Sequence, residues 1–229
     1  MRTFVTLPVV PAKELPPEFR CDVRFSEALV ELLLREFTRE GDVVFDPFAG
    51  LGTTLVVAER MRRVPVGLEL DPGHAAYARS LLRHPDSLME GDARQLASYQ
   101  LPLFDLSLTS PPFMGRGDVE DPLAAYAVPG AGYEAYLHGL QDIYRQVSQL
   151  MKPNARAILE VANLKRPDQI TTLAWDAASA IGEVMHFEGE IVIGWEGAGG
   201  YGYGYDHSYC LIFSRRDWEG PCVHARRSG

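Results

Sequence analysis

The chain has 229 residues, 46% hydrophobic and 23% charged, which fits one domain with a substantial core and excludes global disorder. No apolar run reaches the ~18 residues that span a bilayer, and the proline-rich start lacks an apolar block ahead of a cleavage site, so neither a membrane segment nor a signal peptide is expected. The net charge of −9 excludes a surface that is basic throughout, so any polyanion must be met by local clusters such as Lys165 and Arg166 or Arg215 and Arg216.

Residues 1–20 read as an irregular arm, 21–216 as a single domain and 217–229 as a tail. Ser26 caps a helix whose Val30, Leu33, Leu34 and Phe37 share one face. Val43–Asp46 reads as a strand, followed by a glycine turn and a helix from about Thr54 to Arg62. Val64–Glu69 is the next strand, and Asp71 with Pro72 opens a helix to about Leu82. Ser87–Glu90 and Phe104–Thr109 are further strands. Tyr133–Met151 is a helix with Tyr136, Leu137, Leu140, Ile143, Tyr144 and Val147 in one stripe. Arg156–Val161 is a strand, Gln169–Ile181 a helix, and Val184–Trp195 with Ser208–Phe213 an antiparallel hairpin. The alternation implies an α/β fold: a doubly wound, mostly parallel sheet of seven strands ending in a hairpin.

Ligands of such sheets bind at the carboxyl ends of strands, where the turn Asp46-Pro47-Phe48-Ala49-Gly50-Leu51-Gly52-Thr53-Thr54 lies. Gly50 and Gly52 let the backbone approach a ligand. No lysine is present for a nucleotide phosphate loop, and Leu55 stands where a dinucleotide fingerprint needs its third glycine. Glu69 and Asp92 end the next two strands and could accept hydrogen bonds from the same ligand. Thr109-Ser110-Pro111-Pro112-Phe113 follows the fourth strand. Its two prolines stiffen the turn, and Phe113 offers a face for stacking. Cys21, Cys210 and Cys222 form no CxxC pair and have no histidine at zinc spacing. A disulfide framework, a structural zinc and a membrane location are therefore not expected, and a reducing cytoplasm is.

The turn at Asp46–Thr54 resembles the Asp-Pro-Phe-x-Gly-Ser-Gly-Thr signature of the DNA amino-methyltransferase family, with Leu51 in place of the small serine. Phe25-Ser26-Glu27-Ala28-Leu29 is similar to the cofactor segment that precedes it, and Ser110-Pro111-Pro112-Phe113 to the family's catalytic loop. The resemblance implies a class I (Rossmann-like) methyltransferase fold with S-adenosyl-L-methionine as cofactor. It implies cofactor contacts at Phe25, Asp46, Pro47, Phe48, Gly50, Gly52, Thr53, Thr54, Glu69 and Asp92. Glu69 would hold the ribose hydroxyls and Asp92 the adenine amino group. Ser110 and the Pro111 carbonyl would accept hydrogen bonds from a base amine, with Pro112 and Phe113 completing the catalytic set.

The serine form of the loop favours cytosine N4 in DNA, as in restriction–modification enzymes. Adenine N6 and an RNA base amine are the alternatives, and a cofactor-binding subunit of a larger modification complex is a third. C5-cytosine chemistry would need a cysteine in the loop, and none is there. No segment has the length of a separate target recognition domain. The expected partner is nucleic acid, DNA over RNA, contacted through the loops Met114–Gly132 and Gly197–Asp206, through Arg116 and Arg166, and through a recognition subunit or second copy of the chain.

Overall fold

The computed structural model describes residues 2–8, 15, 19, 25–197 and 204–216. Most of the proline-rich arm, Cys21, Cys222, the glycine-tyrosine stretch 198–203 and the tail from 217 onward lie outside the described residues.

Among those described, the elements in chain order are β1 (Phe4–Pro8), α1 (Glu27–Phe37), β2 (Val43–Asp46), α2 (Thr53–Arg60), β3 (Val64–Glu69), α3 (Pro72–Leu81), β4 (Leu88–Glu90), β5 (Phe104–Thr109), α4 (Tyr133–Gln149), β6 (Met151–Val161), β7 (Leu164–Arg166), β8 (Gln169–Thr171), α5 (Leu173–Gly182), β9 (His186–Glu196) and β10 (His207–Ser214). The main sheet has the order β1-β9-β10-β6-β5-β2-β3-β4. Strands β2 to β6 run parallel, and β10 is antiparallel to both β6 and β9.

The helix starts follow their capping chemistry. The Ser26 hydroxyl accepts from the Leu29 N–H, and the Asp71 carboxylate accepts from the His74 N–H at 2.8 Å ahead of Pro72 in the first turn. The sheet alternation then sorts side chains into two cores. Ile158, Cys210 and Ile212 face α1 and α2 with Leu29, Leu33 and Val57. Ala157, Leu159, Leu211 and Phe213 face α4 and α5 with Leu140, Ile143, Tyr144 and Ala177.

Three stretches differ from the sequence reading. The sheet has eight strands rather than seven, because Phe4–Pro8 of the supposed irregular arm pairs in parallel with β9, from Phe4 opposite Val192 to Pro8 opposite Glu196. The segment before α5 is a ribbon rather than helix: Leu164 pairs with Thr171 and Arg166 with Gln169. The α5 start is fixed from afar by the Asn163 side-chain oxygen, which accepts from the Ala174 N–H at 2.9 Å. Lys152-Pro153-Asn154 lies inside β6, which begins at Met151 as soon as α4 has ended at Gln149.

Strand β2 is the switch point: the chain winds outward through β3 and β4 on one side and through β5 and β6 on the other. The carboxyl ends of β2 and β5 therefore open a crevice, the standard ligand position in such sheets.

Candidate active site

The crevice is a cleft of about 550 Å³, within the ~300–1,000 Å³ range of small-molecule sites. Its walls come from the glycine turn after β2, the end of β3, the Ser110–Phe113 turn after β5, the segment 122–126 and the end of β6. Phe25, Asp46, Pro47, Phe48, Gly50, Thr53, Thr54 and Glu69 all line it, as do Ser110, Pro111, Pro112 and Phe113. The two sets of motif residues thus meet in one cavity.

Glu69 organises the first wall. One carboxylate oxygen accepts from the Gly50 N–H at 2.6 Å and the other from the Asp71 N–H at 2.8 Å. Burial pushes its carboxyl above the usual range, while those two N–H groups oppose the shift. Asp46 is buried at the strand end and accepts from the Phe48 N–H at 3.0 Å. Burial raises it to about 6, against the Thr109 and Thr54 hydroxyls and the Phe48 N–H, with the Glu69 charge adding to the rise.

Two expected cofactor residues sit elsewhere. Gly52 is the left-handed residue that starts α2, and a Cβ there would lie 2.8 Å from the Ala78 Cβ. Its task is to let α2 and α3 pack closely. Asp92 does not line the cleft; it caps the following 3-10 turn at the Arg94 N–H and pairs with the Arg94 guanidinium at 2.7 Å. Burial opposes its ionisation, but the Arg94 hydrogen bonds outweigh it and hold the carboxyl below the usual range. The cleft wall in this region is formed by Gly91 and Ala93.

The sequence reading missed Glu160. It lies on β6, 1% exposed, and also lines the cleft. Its Oε2 accepts from the Ser110 hydroxyl at 2.9 Å. A buried acid inside the run Ala157–Val161 was the available signal, because an ionisable group in a core strand needs a partner. Arg116 and Arg166, expected to reach phosphates, are held by acids: Arg116 meets Asp176 at 3.0 Å and Arg166 meets Asp118 at 3.0 Å.

The fold defined by this sheet and cleft is that of the class I methyltransferases. TrmN from Thermus thermophilus superposes with a TM-score of 0.61 at 21% identity, covering 87% of this chain and 52% of that one. A TehB-like SAM-dependent methyltransferase from Corynebacterium glutamicum gives 0.51 at 13% identity, covering 82% and 87%. A putative rRNA-methylase from Clostridium thermocellum gives 0.54 at 9%, covering 84% and 98%.

By sequence, residues 13–80 match the DNA methylase family model, and short segments of the chain are similar to type II DNA methyltransferases. It is 41% identical over 56 residues to Type II methyltransferase M2.DpnII of Streptococcus pneumoniae, 24% of this chain and 21% of the other. It is 42% identical over 66 residues to Type II methyltransferase M.BamHI of Bacillus amyloliquefaciens, 28% and 15%. The match therefore spans about a fifth or less of either relative. The match over residues 13–80 and the fold shared with SAM-dependent methyltransferases support S-adenosyl-L-methionine as the cofactor. The residues fit it: a Cβ on Gly50 would meet nothing within 4 Å, leaving the turn backbone open, and Asp46 and Glu69 supply buried acceptors.

Proposed function

We propose that the chain transfers a methyl group from S-adenosyl-L-methionine to an exocyclic amine of a nucleic-acid base, with cytosine N4 in DNA as the favoured target. The observation that carries this reading is the Ser110–Glu160 pair at 2.9 Å, set in the same cleft as the glycine turn. When bound, the cofactor supplies an electrophilic methyl group.

The chain's own residues account for the rest. Ser110 donates its proton to Glu160, so its lone pairs are left to accept from a target N–H. The Pro111 carbonyl accepts from the second N–H. With both protons engaged, the nitrogen lone pair is drawn out of the ring and towards the methyl group. Methyl transfer, with the cofactor leaving as its neutral thioether, would leave the nitrogen cationic. Ser110 takes one of its protons and passes its own to Glu160, leaving a neutral methylated amine. Phe113 offers a stacking face for the extruded base. No covalent enzyme intermediate is needed.

An RNA base amine is the second reading. The paired arginines beside the cleft offer little grip on a duplex, which favours an unpaired base of either nucleic acid.

The test is tritiated methyl transfer to DNA, RNA and protein pools, followed by nucleoside mass spectrometry. Label in an N-methylated cytidine or adenosine is expected, and label in protein alone would falsify the reading. Ser110→Ala and Glu160→Gln should each lower kcat on the order of a hundredfold. The double variant should lose little more, because the two groups act as one unit. Cofactor affinity should hold in all three.

A further inference from the structure

Resting on the reading above, we propose that Tyr126 and Tyr136 are positioning residues of the catalytic turn: their hydroxyls engage the Pro112 and Phe113 carbonyls and thereby fix the Pro111 carbonyl as the acceptor for the target amine. Neither proline of the Pro111-Pro112 turn has an N–H. Backbone hydrogen bonds can therefore hold the two prolines only through what their carbonyls accept. The Tyr136 hydroxyl donates to the Pro112 carbonyl at 3.0 Å and the Tyr126 hydroxyl to the Phe113 carbonyl at 3.1 Å. Among the described residues none donates to the Pro111 carbonyl, and Pro111 lines the cleft.

The two donors come from different elements, so they hold the turn from two directions. Tyr136 is 3% exposed on the long helix α4. Tyr126 is 45% exposed and itself lines the cleft. Its backbone is strained: Ala125 and Tyr126 have φ of 51° and 58°, two consecutive non-glycine residues in the left-handed region. Such a pair is costly and persists only where neighbours over-determine it. Here the Tyr126 N–H donates to the Asp121 carbonyl and the Asp121 N–H to the Val128 carbonyl, both at 2.9 Å. The Gly130 N–H donates to the Val119 carbonyl at 2.7 Å. A loop fastened this way delivers one phenol to one carbonyl of the catalytic turn. Both phenols are protonated donors at neutral pH.

The experiment compares Tyr126→Phe, Tyr136→Phe and Tyr144→Phe in the full chain. Each retains its ring. Tyr144 is the control, on the same helix, with a buried hydroxyl that meets no hydrogen-bond partner among the described residues. Single-turnover methyl transfer, calorimetric cofactor affinity, thermal melts and amide exchange over residues 110–126 are measured. Each clamp variant should transfer about three- to tenfold more slowly, the loss of one neutral hydrogen bond. Cofactor affinity should stay within about twofold and amide exchange in the turn should quicken. The same fold loss should persist on a Ser110→Ala background, because the clamp acts on the other acceptor. Transfer rates equal to those of Tyr144→Phe, or losses that vanish without Ser110, overturn the proposal. A wild-type chain that methylates no base amine overturns the functional reading, and the proposal with it.

Discussion

Asp46 carries more than one duty at the end of β2. It is 2% exposed and titrates near 6 rather than at 3.8. The folded chain therefore keeps this proton where the unfolded chain has lost it. The group costs nothing below the unfolded value, and stability falls by about 3 kcal/mol as pH rises from there to about 6. A cation bound beside the carboxylate would favour its ionised form and reverse that penalty. Cofactor affinity, measured by calorimetry, should therefore fall as pH is lowered through about 6. Asp46→Asn should bind weakly and show no such step; a variant with the wild-type pH profile would place the cation elsewhere.

At the scale of the element, the turn between β2 and α2 divides its work between two glycines. Both are left-handed, with φ of 52° at Gly50 and 83° at Gly52. Space separates them: a Cβ on Gly50 would meet nothing within 4 Å, whereas one on Gly52 would strike Ala78 of α3. Gly52→Ala should therefore lower stability by about 2 kcal/mol or more, combining left-handed strain with overpacking, and leave cofactor affinity near wild type. Gly50→Ala should lose about 1–2 kcal/mol of stability from strain alone and weaken the cofactor. Thermal melts and calorimetry on the two variants decide this, and the assignment fails if the two profiles are exchanged or identical. The same crowding explains why Gly-x-Gly read as one ligand-binding unit from sequence: spacing gives the turn, and only the neighbouring helix shows which glycine faces what.

Over the whole molecule, electrostatics set how a polyanion is met. The net charge is −9, and near the cleft Arg94, Arg116 and Arg166 are each paired with aspartate. Among the described residues these paired arginines leave few charges beside the cleft for phosphates, so binding to duplex DNA should be weak, with a salt slope well below that of a protein making six phosphate contacts. Unpaired or mismatched substrate should bind better, because extrusion costs less and stacking on Phe113 is insensitive to salt. Asp118→Asn releases Arg166 and should steepen the slope by about one phosphate. Filter binding from low to high salt on duplex, mismatched and single-stranded oligonucleotides tests this. A steep slope in the wild-type chain would reveal a basic face formed by residues outside those described, or by a second subunit.

The sequence by itself determined the alternating elements, the glycine turn, the Ser110–Phe113 turn and the fold class, because these are local: capping residues, apolar periodicity and proline placement act over a few positions. It also determined that Asp46, Glu69 and Ser110 would converge, since in a doubly wound sheet the strand ends share one edge. Tertiary structure alone decided what depends on contacts between distant segments. Phe4–Pro8 becomes a strand because β9 leaves an edge to pair with, and 169–171 becomes ribbon because Leu164–Arg166 pairs with it. Asp92 caps the following turn and pairs with Arg94 instead of lining the cleft. Glu160 joins the site because β6 lies beside β5 and brings its carboxylate under Ser110. The tyrosines reach the Ser110–Phe113 turn across 24 and 13 positions of chain, a separation over which no spacing rule in the sequence operates.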